Sequence, residues 1–232
     1  MGIDRATRGV LALRTVLARL QDRSIAPPAA TRTPAPRTPF EAASGTYTQP
    51  DATTCGSAVL VMAEMLADPA YATFVATGRH PATGRTSQLS PAELFHAESL
   101  AMHRQTGRWR DRAGRLQSPW ISALGTSPWG LARQLTLATA HPHRVDLVDP
   151  GRPGAAYDRI VDAVRAGHPV PLYVGNAWSP RHVVLVTTAS TDALRVYEPA
   201  AGRAVTVTRS AFERGDVALA GWRVPWLAVV PS

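Results

Sequence analysis

The sequence predicts an α+β fold in which helices come first along the chain and a mostly antiparallel sheet follows. Before about residue 140 the apolar residues recur at helical spacing. After about residue 144 they form short runs rich in β-branched residues, and turn residues separate these runs. One amphipathic helix falls among them. This segregation of helices from strands is typical of α+β proteins.

An N-terminal extension is predicted to precede the compact domain, which we place at residues 45–232. Residues 1–24 predict an amphipathic helix whose apolar residues share one face, with arginines around them. Proline recurs too often over residues 25–44 for a helix or a sheet, so this segment is interpreted as an extended linker. We expect the helix to dock on its own domain or on a partner. The alternatives are a basic membrane-surface helix and a signal peptide, although Arg14 interrupts the apolar core that a signal requires.

A long apolar helix is predicted to follow the only cysteine, Cys55. A turn-forming segment precedes this residue, and Asp68 with Pro69 ends the helical pattern. Apolar residues occur on nearly every side of the segment, and Glu64 is its one charged residue. A helix of this kind belongs in the middle of a fold, covered on most sides.

Helix-start signals and strand-like runs define the remaining predicted elements. In two places a serine that can cap a helix is followed by a proline suited to its first position. The remaining helices are expected at 90–107, 127–139 and 156–167. The strands are expected at 144–148, 169–175, 182–189, 193–199, 203–209 and 222–230. The other signals between residues 70 and 128 are weak.

The charge pattern argues against a nucleic-acid partner. The net charge of +8 comes from arginine alone, because the sequence contains no lysine, and the arginines are spread along the chain. A nucleic-acid surface usually combines clustered cations with aromatic stacking groups. One cluster, residues 104–115, includes Trp109. It is interpreted as a solvated basic loop, with a phosphate-binding loop as the alternative.

Hydropathy and cysteine content favour a soluble, cytoplasmic protein. No apolar run approaches the roughly 20 residues that span a bilayer, so we expect no association with a membrane. The single cysteine excludes an intrachain disulfide. This fits a reducing compartment, although it does not exclude export.

The best candidate set for a metal ion consists of His141, His143 and Asp146. Pro142 separates the two histidines, and no further ligand follows at a telling spacing. The sequence also lacks the glycine-rich loop that binds nucleotide phosphates. We therefore expect neither a metal nor another cofactor.

Cys55 is the first candidate for chemistry because it falls in the first turn of its predicted helix. Unpaired backbone N–H groups and the positive end of the helix dipole favour a thiolate at that position. Gln49 lies six residues earlier, where its side-chain amide can donate a hydrogen bond to an oxyanion beside the sulfur. The alternative is a small, buried helix residue, which is the commoner role of a lone cysteine.

Two further residues can complete a site with Cys55. His182 begins the most apolar predicted strand, and Glu198 lies sixteen residues later, at the end of the next one. In a hairpin the end of the second strand returns beside the start of the first, so Glu198 can reach His182 and orient its ring. Asn176 and Asp192 are the alternatives for this orienting role.

Taken together, these residues resemble the papain-like cysteine peptidases, and most closely the branch that contains the bacteriocin-processing, double-glycine-leader peptidases and their stand-alone bacterial relatives. The shared pattern is a glutamine before Cys55-Gly56, a histidine followed by apolar residues, and an acidic residue with proline after the next strand. The segment GTSPWGLARQL also resembles the loop and helix that precede the sheet in such proteins. The chain departs from the family at Glu198, where the pattern has Asp or Asn.

The resemblance implies a papain-like fold, with the nucleophile-bearing helix packed on the sheet. It implies a thiol hydrolase that cleaves a peptide or amide bond of a peptide or protein substrate through an acyl-enzyme intermediate. Cys55 is then the nucleophile, His182 its partner, Glu198 the acid and Gln49 an oxyanion donor. The alternatives are a catalytically inactive peptide-binding module, an acyltransferase with the same Cys-His pair, and a basic adaptor for nucleic acid or membrane surfaces.

Overall fold

A computed structural model describes residues 5–13, 16, 45–107 and 125–232. The predicted linker at 25–44 and most of the basic cluster at 104–115 lie outside the described residues, as does the end of the first predicted helix.

The described helices and strands follow the predicted order, with additional short helices. The helices are α1 (5–13), α2 (Cys55–Ala67), α3 (Pro69–Thr77), α4 (Pro91–Thr106), α5 (Pro128–Thr139), α6 (Pro153–Arg165) and α7 (Arg209–Glu213). The strands are β1 (His143–Leu147), β2 (Val170–Gly175), β3 (Pro180–Ala189), β4 (Ala193–Glu198), β5 (Arg203–Thr208) and β6 (Val224–Pro231).

The strands form one antiparallel sheet of six strands in the order β1-β6-β2-β3-β4-β5. Strands β2 to β5 are neighbours both in sequence and in the sheet, as expected for hairpin connections. Strand β6 returns across the sheet and pairs between β1 and β2. The combination of helices with an antiparallel sheet confirms the predicted α+β class.

Helices cover both faces of the sheet, which the sequence pattern did not specify. Val183 and Leu185 of β3 belong to the apolar core that contains α2, whereas Val184 and Val186 belong to the core that contains α6. This division follows from the alternation of side chains along a strand. The first nine residues of α2 are all buried, so its predicted place in the middle of the fold is confirmed.

The predicted helix-start signals operate as capping interactions. Ser90 and Glu93 form a capping box at the start of α4, and Ser127 accepts a hydrogen bond from a backbone N–H of α5. Asp68 ends α2, but its side chain also accepts two backbone hydrogen bonds at the start of α3. The aspartate and proline that were interpreted as a helix end therefore also begin the next helix.

Helix α1 lies against the rest of the domain, which is one of the two arrangements expected for it. Arg8 donates a hydrogen bond from Nη1 to the carbonyl oxygen of Val148 at 2.9 Å. Its guanidinium carbon lies 4.2 Å from the ring centroid of Trp226, which is a cation–π contact. Leu11 joins the core that contains α2. In the parts of the chain that the structure describes, no single helix has the length and apolar composition to cross a membrane, although the bent pair α2–α3 passes that test together.

Candidate active site

Cys55 is the first residue of α2 and is buried, with 4% of its surface exposed. The preceding residue, Thr54, makes no side-chain cap for this helix. Its hydroxyl instead hydrogen bonds with the backbone carbonyl oxygen of Asp51 at 3.0 Å. The backbone N–H groups of the first turn are therefore not consumed by a side-chain cap from Thr54, and they remain suited to stabilise negative charge beside the sulfur.

His182 and Glu198 meet as the hairpin argument predicts. His182 Nε2 lies 2.8 Å from Glu198 Oε1, and only 5% and 4% of the two residues is exposed. Glu198 also accepts hydrogen bonds from the backbone N–H groups of Ala200 and Ala201, at 2.9 and 2.8 Å. Burial acts to raise the pKa of Glu198, but the bonds from His182 and these amides outweigh it and lower that pKa. The carboxylate is thus held in its charged form and in one orientation.

The Cys55 side chain is among the groups that raise the pKa of His182, so the ring interacts with the thiol as well as with the carboxylate. Because Nε2 faces Glu198, Nδ1 is the ring nitrogen left for the sulfur. Burial acts to lower the pKa of His182, but the hydrogen bonds with Cys55 and Glu198 and the negative charges of both partners raise it to about 9. The ring is therefore protonated at neutral pH.

The two alternative orienting residues are engaged elsewhere. The Asn176 side-chain oxygen accepts from the backbone N–H groups of Trp178 and Ser179, at 2.9 and 3.0 Å. Asp192 lies in the turn between β3 and β4, at the opposite end of the hairpin from Glu198, and its side chain accepts from the Thr191 hydroxyl. Glu198 is accordingly the carboxylate that contacts His182.

Gln49 lies beside the acid end of this arrangement. Its backbone N–H donates to the carbonyl oxygen of Pro199 at 2.7 Å, and its side-chain nitrogen donates to the carbonyl oxygen of Asp51 at the same distance. The side-chain oxygen of Gln49 is buried, and it has no hydrogen-bond partner among the described residues. The amide is therefore turned into its own loop, and its role as an oxyanion donor stays a prediction.

A buried polar cluster beside Cys55 was not predicted from the sequence. Tyr173 on β2 donates its hydroxyl to the backbone carbonyl oxygen of Thr126 at 2.9 Å. The Thr126 hydroxyl lies 3.0 Å from the Ser57 hydroxyl, in the first turn of α2. Burial and the negative charge of Cys55 raise the pKa of Tyr173 well above its ordinary value. No local spacing links these residues, because they come from three separate segments.

The candidate metal residues are not arranged around a common centre. Asp146 pairs with Arg159 at 2.7 Å, and His143 Nδ1 bonds the backbone carbonyl oxygen of His141. The ring of His168 packs against the rings of both histidines, with its centroid 4.7 Å from that of His141 and 6.2 Å from that of His143. Across the described ranges, no group of three or more His, Cys, Asp or Glu residues is placed to hold a metal ion.

A buried imidazolium between a thiol and a carboxylate can stabilise a thiolate and later deliver a proton to a leaving group. Comparison with protein-family models gives no match to this chain, and comparison with curated proteins gives none either.

Proposed function

We propose that this protein is a thiol hydrolase, a cysteine peptidase that cleaves a peptide or amide bond through Cys55, His182 and Glu198. The observation that carries the proposal is the buried His182 ring, which hydrogen bonds with Glu198 and interacts with the side chain of Cys55. Glu198 then orients the base that acts on the nucleophile, which is the arrangement that activates a weak nucleophile.

Cleavage begins with attack of the Cys55 thiolate on the carbonyl carbon of the substrate. The developing oxyanion accepts a hydrogen bond from the backbone N–H of Cys55, and from the Gln49 amide once that amide turns away from Asp51. His182 transfers its proton to the leaving amine as the carbon–nitrogen bond breaks. The acyl group then remains on sulfur as a thioester.

Water completes the reaction by attacking the thioester while His182 accepts its proton. The second product is a carboxylic acid, and the thiolate and imidazolium are regenerated. Glu198 contributes by stabilising the imidazolium and by holding Nδ1 towards the sulfur. The extra methylene of glutamate, relative to the Asp or Asn of the family pattern, is accommodated because two backbone amides also bind the carboxylate.

A papain-like arrangement is part of the same proposal. Its support is the position of Cys55 at the start of a central helix that packs on an antiparallel sheet, with His182 near the start of a strand and Glu198 at the end of the next. This arrangement supports a peptide or protein substrate, and the proposed chemistry uses no cofactor.

An acyltransferase that uses the same Cys55–His182 pair is the second candidate. Cys55 and His182 are 4% and 5% exposed, which limits the access of water to a thioester. Restricted water favours transfer of the acyl group to a bound amine over hydrolysis. The two functions differ in the second step alone, so added amines discriminate between them.

The proposed function is tested by incubating the protein with a peptide library and identifying the products by mass spectrometry. Cleavage that disappears in Cys55→Ala is expected. Acceleration by amines, with amine-capped products, would assign acyl transfer. Binding of peptides without any cleavage by the wild-type protein would instead support an inactive peptide-binding module, and it would contradict both enzymes.

A further inference from the structure

We infer that Thr126 and Tyr173 are positioning residues, which set the spacing between the Cys55 sulfur and the His182 ring. The inference rests on the proposed function, because it assigns a role relative to that catalytic pair. Both residues are buried, and their side-chain hydroxyl groups hydrogen bond with other groups of the protein. Their effect is transmitted through Gly56 and Ser57, the two residues that follow the nucleophile.

Thr126 packs directly on the backbone of α2 next to Cys55. A Cβ atom added at Gly56 would lie 2.6 Å from the Thr126 Cβ and 2.9 Å from its hydroxyl oxygen. Such distances are shorter than real carbon contacts. The glycine therefore allows the threonine side chain to approach the helix axis, and this contact defines how far the start of α2 can move towards the loop before α5.

A hydrogen bond between Thr126 and Ser57 also holds Thr126 against the start of α2. The hydroxyl groups of Thr126 and Ser57 lie 3.0 Å apart, and Ser57 is fully buried. The Ser57 hydroxyl is also 3.4 Å from Nδ1 of His103 on α4. Because Ser57 and Thr126 are both buried, breaking the bond between their hydroxyl groups leaves a buried polar group unsatisfied, which is costly.

Tyr173 connects this contact to the sheet that carries His182. Its hydroxyl donates to the Thr126 carbonyl oxygen, and its backbone pairs with Val183 on β3. The next residue on β2, Val174, pairs with His182 itself. A continuous path of short contacts therefore runs from the catalytic histidine, through two paired strands and Thr126, to the residues after Cys55. This path fixes the distance between the start of α2 and strand β3, which are far apart in the sequence.

Loss of this path should change the reactivity of Cys55 more than the stability of the fold. The interaction between Cys55 and His182 depends on their separation, and catalysis becomes much less efficient when catalytic groups are displaced. A small shift of α2 weakens that interaction while most of the apolar core around α2 stays in place. The expected consequence is a thiol that reacts at higher pH than in the wild-type protein.

The test measures alkylation of Cys55 by iodoacetamide from pH 5 to pH 9 in Tyr173→Phe. The matched control is Tyr157→Phe, since Tyr157 is also buried and donates its hydroxyl to a backbone carbonyl, that of Ser190, but lies in the core on the opposite face of the sheet. We expect roughly tenfold slower alkylation at pH 6 in Tyr173→Phe, and no change in the control. An unchanged profile in Tyr173→Phe, or an equal change in both variants, overturns the inference.

Two variants at Thr126 carry the test independently of Tyr173. Thr126→Ser retains the hydroxyl that faces Ser57 and should keep the low-pH reactivity, whereas Thr126→Val removes the hydroxyl and should lose it. Equal profiles for the two variants contradict a positioning role for this hydroxyl. Near-ultraviolet circular dichroism of each variant reports whether it folds. If Cys55 of the wild-type protein itself reacts as an ordinary thiol, the proposed function fails, whereas failure in the variants alone removes only the positioning role.

Discussion

Glu198 binds His182 through a single hydrogen bond of 2.8 Å, and neither residue is more than 5% exposed. The same carboxylate accepts two backbone N–H groups from the turn that follows β4. A carboxylate with three donors is fixed before any substrate arrives, and so is the imidazole that it contacts.

Glu198→Gln should lower kcat for peptide cleavage by about 10² to 10⁴-fold, because a neutral amide stabilises an imidazolium less well and can select the wrong tautomer. Glu198→Asp should have a kcat between those of the wild type and Glu198→Gln, since the shorter side chain cannot reach both His182 and the turn amides. Glu213→Gln is the control, because Glu213 pairs with Arg209 at the surface. A wild-type kcat in Glu198→Gln would show that this acid has no orienting role.

His182 should titrate at a pH well above that of an ordinary histidine. Its pKa is raised to about 9 from the ordinary 6.5, with burial opposing the shift and Cys55 and Glu198 causing it. NMR of the imidazole should therefore show a midpoint near 9 in the wild type and a lower one in Cys55→Ala. A midpoint near 6.5 in the wild type would contradict the thiolate–imidazolium pair.

The same raised pKa predicts the sign of a stability change. Because the folded state binds this proton more tightly than the unfolded state does, the stabilisation is complete below about pH 6.5 and is lost as the pH rises towards 9. The loss is on the order of 3 kcal/mol. Urea unfolding of the wild type should show a free energy of unfolding that falls between pH 6 and pH 9, and His182→Ala should lack this fall. The same pH dependence in both proteins would exclude His182 as the cause.

The lowered pKa of His143 should have the opposite effect and make the protein less stable in acid. Its pKa is lowered to about 4 by burial and by the charges of His168 and His141, against a hydrogen bond with the His141 backbone that acts to raise it. The unfolded state therefore binds the proton more tightly, so stability falls as the pH drops from 6.5 to 4, by on the order of 3 kcal/mol. His143→Leu should lose less of its free energy of unfolding between pH 7 and pH 4 than the wild-type protein does, and urea unfolding at both pH values measures this loss. An unaltered pH dependence in that variant would exclude His143 as the cause.

Gly56→Ala should destabilise the protein even though alanine favours helices by about 1 kcal/mol over glycine. The added methyl group would lie 2.6 Å from the Thr126 Cβ, and overpacking of this kind typically costs about 1–3 kcal/mol. Gly9→Ala is the matched control in α1, where no atom of the described residues lies within 4 Å of the added atom. Chemical unfolding of both variants measures the difference. Equal stability of Gly56→Ala and the wild type would show that the loop at Thr126 yields without cost.

Local signals were sufficient to predict α2, α4 and α5. The serine-proline starts and the apolar run after Cys55 act within a few residues, and the structure shows the corresponding caps and burial. The contact between His182 and Glu198 was also predictable, because the separation of two residues in one hairpin is set by its strand lengths. Helix α7 was missed because five residues show too little periodicity.

Long-range features could not be read from the sequence. The return of β6 between β1 and β2 and the contact of Tyr173 with Thr126 join segments that are distant along the chain. No spacing encodes such contacts, since they result from packing of the whole sheet against the helices. The sequence alone also left Asn176 and Asp192 open as partners of His182, and the contacts of the three side chains decide in favour of Glu198.

The central claim is that Cys55 is a nucleophile activated by His182, and the pH dependence of its alkylation tests this most directly. Iodoacetamide modification should be rapid at pH 6 in the wild-type protein and should lose this low-pH reactivity in His182→Ala. Because Cys55 is the only cysteine, mass spectrometry of the intact chain measures the rate without ambiguity of site. Reaction that rises only around pH 8.5 in both proteins, as for an ordinary thiol, would contradict the claim.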